Sequence, residues 1–325
     1  MAATNPFLVS DLIKKYGWAV MPYLSNLGVT LLSEAQILFV DSQHTNALDA
    51  DDATHGHSFE QPLATIDYAI GLCTADQGDV ILVAPNHAET LSGAADLDID
   101  VNQVTIIGLG SGSARPTLTL GGTDASTTIE INGDNITVMN LRIVGGDTDG
   151  TTRAIDIKSG SDYVTLDGLE FFETVSTKEI LGCITLEDKT DQCTIKNCVF
   201  RNLCSGDNTD AIITEADEHD FLTIENCTFI GDWTNAALDL DAAAINYPII
   251  KDCLIVNYDT SAGDAIDLDS STKAIMVNLR VASGKGDAYP VGDVSASFEM
   301  GCYGCEAGAV GYLGLGSKTS TDFAA

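Results

Sequence analysis

The sequence predicts an all-β protein, a right-handed parallel β-helix solenoid with an N-terminal capping helix and short terminal attachment segments. Three observations carry this. TIKNCVF (194–200) returns 29 positions later as TIENCTF (223–229). Degenerate copies extend the series: TIIGLGS from Thr105, TVMNLRI from Thr137, TLDGLEF from Thr165, IIKDCLI from Ile249 and IMVNLRV from Ile275. Their second positions are separated by 32, 28, 29, 29, 26 and 26 residues, a period that belongs to stacked repeats. Between copies a second alternating motif recurs (TIEI, AIDI, CITL, AIIT, ALDL, AIDL), so each unit holds at least two strands, and none carries a stretch of helical periodicity.

Taken in chain order, residues 1–36 form a separate segment, either an attachment arm or an element folded back on the solenoid. Lys14 and Lys15 precede a mildly apolar run that Pro22, Asn26 and Gly28 interrupt, which fits neither an export signal nor a membrane span. Residues 37–77 hold a leading strand, a loop and the capping helix, with Ser58 and Pro62 as start signals and Ile66, Ala69, Ile70 and Cys73 at helical spacing. An amphipathic plug there protects the apolar axis of the first coil. GDVILVAPNHAETL (78–91) reads as that coil, and 78–284 as the solenoid. Residues 285–325 end in a glycine-rich apolar stretch, a closing or subunit-contact segment.

Two files of residues follow from stacking. The fourth motif position reads Gly108, Asn140, Gly168, Asn197, Asn226, Asp252 and Asn278, all residues that enter the left-handed backbone region at least cost. A sharp bend is expected there in every coil, with amides able to bond along the file. The next position reads Leu109, Leu141, Leu169, Cys198, Cys227, Cys253 and Leu279, an inward apolar slot in which cysteine substitutes for leucine. Nine cysteines, an odd number, fit a reducing assembly compartment, with the stacked thiols reduced.

The chain carries 48 acidic and 15 basic residues, a formal charge of −33. Such a surface repels a nucleic-acid backbone. Among the aspartates, Asp239 and Asp267 occupy the same outward position in successive coils, as do Asp241 and Asp269. The first pair is the candidate for catalysis, since two carboxylates ~5 Å apart suit a retaining glycosidase. The second is the candidate for calcium, and no other cofactor is expected. Thr185 and Ile213 fall in the same column, and Arg142, Arg153, Arg201 and Arg280 stand apart from the quartet. His55 and His57 beside Asp49, Asp51 and Asp52 read as a polar turn, and Cys302 and Cys305 as half of a zinc site without its partner pair.

The leading segment (FVDSQHTN, HGHSFEQPLATIDYAI, GDVILVAP) followed by stacked Asn/Cys coils resembles the pectate-lyase-like β-helix superfamily. More narrowly, it is similar to β-helix virion proteins of tailed bacteriophages encoded near the capsid genes. That resemblance implies a non-enzymatic virion component, a capsid decoration protein or surface spike, assembled in the host cytoplasm. It implies a homotrimer attached to the major capsid or another virion protein. The alternative is a tailspike-type protein that binds or cleaves a host surface glycan. A β-helix that cleaves sugars is expected to offer an aromatic platform, and the chain has two tryptophans, Trp18 and Trp233.

Overall fold

The computed structural model describes residues 35–284 except 94, 122–126, 147–149, 174–177, 203–207, 216–218, 242–244, 261–263 and 270, together with 298–300, 302–306 and 309–313. Both terminal attachment segments expected from the sequence lie largely outside these residues. The chain winds as a right-handed parallel β-helix. Two ten-stranded sheets and one seven-stranded sheet run its length, and the rungs pair in parallel. Parallel pairing demands a long return path for each strand, which the other two sides of the coil supply.

From the second copy on, the opening motif becomes two strands joined by two residues, the first of them at a bend. Thr194–Lys196 lies in the first ten-stranded sheet and Val199–Arg201 in the second. The register puts like on like: Thr165, Thr194 and Thr223 are mutual neighbours, as are Leu166, Ile195 and Ile224. The ALDL-type motifs build the seven-stranded sheet, where Leu238 faces both Ile212 and Ile266.

At the bend, Asn140, Gly168, Asn197, Asn226, Asp252 and Asn278 have φ between 51° and 67°. Asn140, Gly168, Asn197, Asn226 and Asp252 place their N–H on a carbonyl of the next rung, as in Asn197 to Glu225 at 3.0 Å and Asn226 to Lys251 at 3.0 Å. The side chains extend the ladder. Asn226 Nδ2 donates to Asn197 Oδ1 at 2.7 Å, Asn197 Nδ2 to Asp167 Oδ1 at 2.7 Å, and Asn278 Nδ2 to Asp252 Oδ1 at 2.6 Å.

The first copy departs from this pattern. Gly108 ends the strand Thr105–Gly108 and has no left-handed φ. Glycine is needed there because a Cβ would lie 2.3 Å from the Asn140 carbonyl oxygen. Leu109 leaves the inward file as well. It packs half-buried against Ile37, Phe39, Val80 and Ile107, an apolar cluster separate from the core. The register shows why: strand 37–40 adds a pairing layer in front of 80–83, and the chain from 41 to 64 bonds to its outer edge through Phe39 and Asp41.

The remaining file members, Leu141, Leu169, Cys198, Cys227, Cys253 and Leu279, are buried. Beside them Phe171, Phe200 and Phe229 stack with ring centroids 4.8 and 4.5 Å apart, the rung spacing itself. The thiols of Cys198, Cys227 and Cys253 are free. Hydrogen bonding with the next thiol in the file, then burial, holds Cys253 far above the ordinary thiol range, where it stays protonated and unreactive.

A second left-handed file, absent from the sequence reading, occupies the corner between the seven-stranded sheet and the first ten-stranded sheet. Gln103, Asn135, Tyr163, Gln192, Phe221 and Tyr247 have φ between 56° and 61°. Side chains of this size enter that region at a cost of roughly 1–2 kcal/mol each. The residues one place earlier form a carboxylate ladder. Asp162, Asp191 and Asp220 each donate a backbone N–H to the Oδ1 of the preceding rung's aspartate (Asp134, Asp162 and Asp191) at 2.8 to 3.0 Å.

The helix at the start is shorter than the sequence suggests, Ile66–Gly71, with Thr65 as N-cap in place of Ser58. Asp49 fixes that start by accepting from the N–H groups of Ala64 and Thr65 and the Thr65 hydroxyl. Ile66, Ala69 and Ile70 are buried. At the far end Phe298–Met300 and Cys302–Glu306 continue both ten-stranded sheets beyond the last copy of the motif. The antiparallel strand Ala309–Leu313 then closes on Cys302–Glu306. Cys302 and Cys305 therefore lie within a sheet strand.

Candidate functional site

The seven-stranded sheet carries the candidate carboxylates. Its register makes one file of Asp98, Glu130, Asp156, Thr185, Ile213, Asp239 and Asp267. Asp239 and Asp267 are thus neighbours on successive strands, about 4.8 Å apart at the backbone. Leu240 and Leu268 pair beside them, which brings Asp241 and Asp269 onto adjacent rungs.

The four carboxylates have different surroundings. Asp269 Oδ1 accepts from the backbone N–H of Ser271 at 2.7 Å and from its hydroxyl, which ties that oxygen into a turn. Asp241 is exposed. Among the described residues no group of three or more His, Cys, Asp or Glu side chains is arranged to hold a metal ion. The turn engages one oxygen of Asp269, the residue paired with Asp241 in the calcium expectation.

Asp239 has a different partner, which its position in the sequence conceals. Asp210, 1 % exposed, lies on the preceding rung with its carboxyl within hydrogen-bonding reach of Asp239. Burial raises Asp210 above the usual carboxylate range against the bonds it accepts from Thr209 and Ala236. Burial, a hydrogen bond with Asp241, and the negative charges of Asp210 and Asp241 push Asp239 up to about 8. Each carboxylate opposes ionisation of the other, so burial and like charge together favour the protonated form.

Further along the file the carboxylates are neutralised. Lys158 Nζ lies 3.1 Å from Asp156 Oδ2 and 2.6 Å from Glu187 Oε1, and Arg153 reaches both Asp156 and Glu215. On the second ten-stranded sheet Glu170 takes Arg142 at 2.8 Å and Arg115 at 3.5 Å. Arg142 and Arg153 thus pair with carboxylates other than Asp239 and Asp267. The polar loop before the helix holds no metal set either. Asp52 accepts from Thr54 and His55, which keeps it well below the usual carboxylate range, while Asp49 serves the helix start.

One buried polar corner escaped the sequence reading. Glu173 Oε1 accepts from Ile180 N at 2.9 Å and Asn208 Nδ2 at 2.7 Å. Burial outweighs both bonds and raises Glu173 to about 7.

With the geometry in place, comparison with known proteins gives the class. No family model matches the chain, and no curated protein matches it. Solved structures do. A rhamnogalacturonan lyase aligns with TM-score 0.53 at 11% identity, over 76% of this chain and 69% of its own. The pectate lyase Bsp165PelA from Bacillus sp. N165, in complex with trigalacturonate, gives 0.52 at 17% over 91% and 89%. An alginate lyase from Paenibacillus sp. str. FPU-7 gives 0.50 at 14% over 78% and 96%. The chain is a right-handed parallel β-helix protein that shares its fold with polysaccharide lyases. At such identities the likeness concerns the fold alone, since this fold hosts unrelated functions.

Proposed function

We propose that the protein is a non-enzymatic structural component of a bacteriophage virion, a capsid decoration protein or surface spike that associates as a trimer and docks on the major capsid protein. The observation that carries this reading is where the outward polar groups go. They are spent on the neighbouring rung: amide on amide at the bends, Lys158 between Asp156 and Glu187, Arg142 on Glu170, Lys251 on Glu225. A coil clamped in this way along its faces makes a stiff, hydrated spacer, and the −33 charge keeps it soluble at high local density. The motif resemblance supplies the phage context. Mass spectrometry of purified particles of the encoding phage, with the density located by particle reconstruction, tests it. Particles that lack the polypeptide overturn it.

A second reading has one specific observation in its favour. Asp239, held protonated near neutral pH, is matched to proton donation at a glycosidic oxygen, with Asp267 one rung away as the partner carboxylate. The substrates to try are the polysaccharides of the lyases that share the fold. Reducing-end release from polygalacturonate, alginate or rhamnogalacturonan, abolished by Asp239→Asn with Asp267→Asn, establishes this reading and removes the structural one.

A further inference from the structure

The corner file that begins at Gln103 ends in aromatic rings. The register places Tyr163, Gln192, Phe221, Tyr247 and Lys273 in one line, two residues before the paired Thr165, Thr194, Thr223, Ile249 and Ile275. Tyr163, Phe221 and Tyr247 are 49%, 53% and 47% exposed. Large apolar side chains on a left-handed, solvent-facing bend are the opposite of what folding selects, since the same backbone is met at Asn135 by asparagine. An outlier of this kind, repeated at three rungs of one file, points to use of the rings themselves.

The surroundings specify the chemistry. Phe221 and Tyr247 stack with centroids 6.1 Å apart and an interplanar angle of 19°. Gln192 Nε2 donates to the Tyr163 hydroxyl at 2.9 Å, which joins the first ring to the stripe. Immediately beside the rings runs the half-buried aspartate ladder, in which the Oδ1 atoms of Asp134, Asp162 and Asp191 accept backbone N–H groups while Asp220 Oδ1, beside Phe221, is buried without a hydrogen-bond partner. Electron-rich ring faces next to a row of carboxylates select cations, and the molecule itself provides an example: Lys273 Nζ sits 5.7 Å from the Tyr247 ring centroid. Arginine adds a planar group that both stacks on rings and bonds carboxylates.

We infer that this corner is a docking stripe for a basic segment of a partner protein, read by arginine or lysine side chains laid across Tyr163, Phe221 and Tyr247 and held by the adjoining aspartates. A second copy of this chain is a poor occupant, because like-charged ladders would face each other. The inference rests on neither reading of the overall function given above.

The test uses the full chain and an octa-arginine peptide, titrated calorimetrically at about 0.15 M salt, where exposed charges beyond ~8 Å are screened. The variant is Tyr163→Asn, Phe221→Asn and Tyr247→Asn together, which leaves every charge in place and gives each bend a residue suited to its φ. The expected result is about tenfold weaker peptide binding with an unchanged or higher melting temperature. Equal affinity in both proteins overturns the inference, since the acidic coat alone then explains binding. A lower melting temperature in the variant overturns it too, because the rings then serve the fold. So does a glucan or polygalacturonate that binds the native protein and not the variant, with the peptide binding neither.

Discussion

Replacing Asn226 separates the two things a bend residue does. In the structure Asn226 has φ 51° and its Nδ2 donates to Asn197 Oδ1 at 2.7 Å, while its backbone N–H bonds Lys251 O at 3.0 Å. Asn226→Gly keeps the left-handed backbone and removes the amide bond. An exposed hydrogen bond contributes ~0.5–1 kcal/mol net, and glycine adds a comparable entropic loss through the unfolded chain. Asn226→Ala loses the same bond and also forces a Cβ-bearing residue without a polar side chain into the left-handed region, roughly 1–2 kcal/mol more. The alanine variant is therefore expected to be less stable than the glycine variant by about 1 kcal/mol, despite alanine's lower backbone entropy. Urea unfolding followed by circular dichroism reads the difference as a shift in midpoint at constant slope. Equal midpoints, or alanine the more stable, refute the claim that a fixed left-handed bend explains Asn and Gly in this file.

Phe200→Ala removes the middle ring of the three-ring stack and is expected to cost about 3–5 kcal/mol, read from the same urea experiment. Gly231→Ala puts a Cβ 2.7 Å from the Trp233 ring and 2.8 Å from Asn202 Cβ; a loss of about 1–3 kcal/mol is expected from overpacking. The pH dependence follows from Asp239 at about 8 and Glu173 at about 7. Both lie above their unfolded values, so their contribution is fully present below about pH 4 and is lost as pH rises through 7 to 8. Asp239→Asn removes part of that slope, and a variant whose stability falls between pH 5 and 8 as steeply as the native protein's contradicts the assignment.

What the sequence made legible was whatever the chain repeats in kind. The Asn and Phe files rhyme because stacking places identical chemistry every rung, and the copies from Asn140 to Asn278 mark the bend in order. The second left-handed file stayed hidden for the converse reason. Its backbone is fixed by N–H bonds to the next rung, such as Tyr163 to Asp191 O at 3.0 Å, so its side chains vary from Gln192 to Phe221 and leave no common letter. Gly108 and Leu109 misled because an added layer in front of the first full coil shifts the bend, a long-range effect. The Asp210 partner of Asp239 depends on how far each coil is displaced from the last. The spacing of the two residues, 29, matches a repeat length, yet their strands pair at an offset of 26, as Ile213 with Asp239 shows.

One unit of chain makes one rung, and excision tests that most directly. Residues 194–222 run from one threonine of the register to the residue before its neighbour Thr223, so their deletion joins Cys193 to Thr223 as Leu222 was joined. The shortened protein is expected to keep a β-rich circular dichroism spectrum and a cooperative melt, while deletion of residues 194–208, half a rung, abolishes both. If the whole-rung deletion unfolds like the half-rung deletion, the stacking account is contradicted.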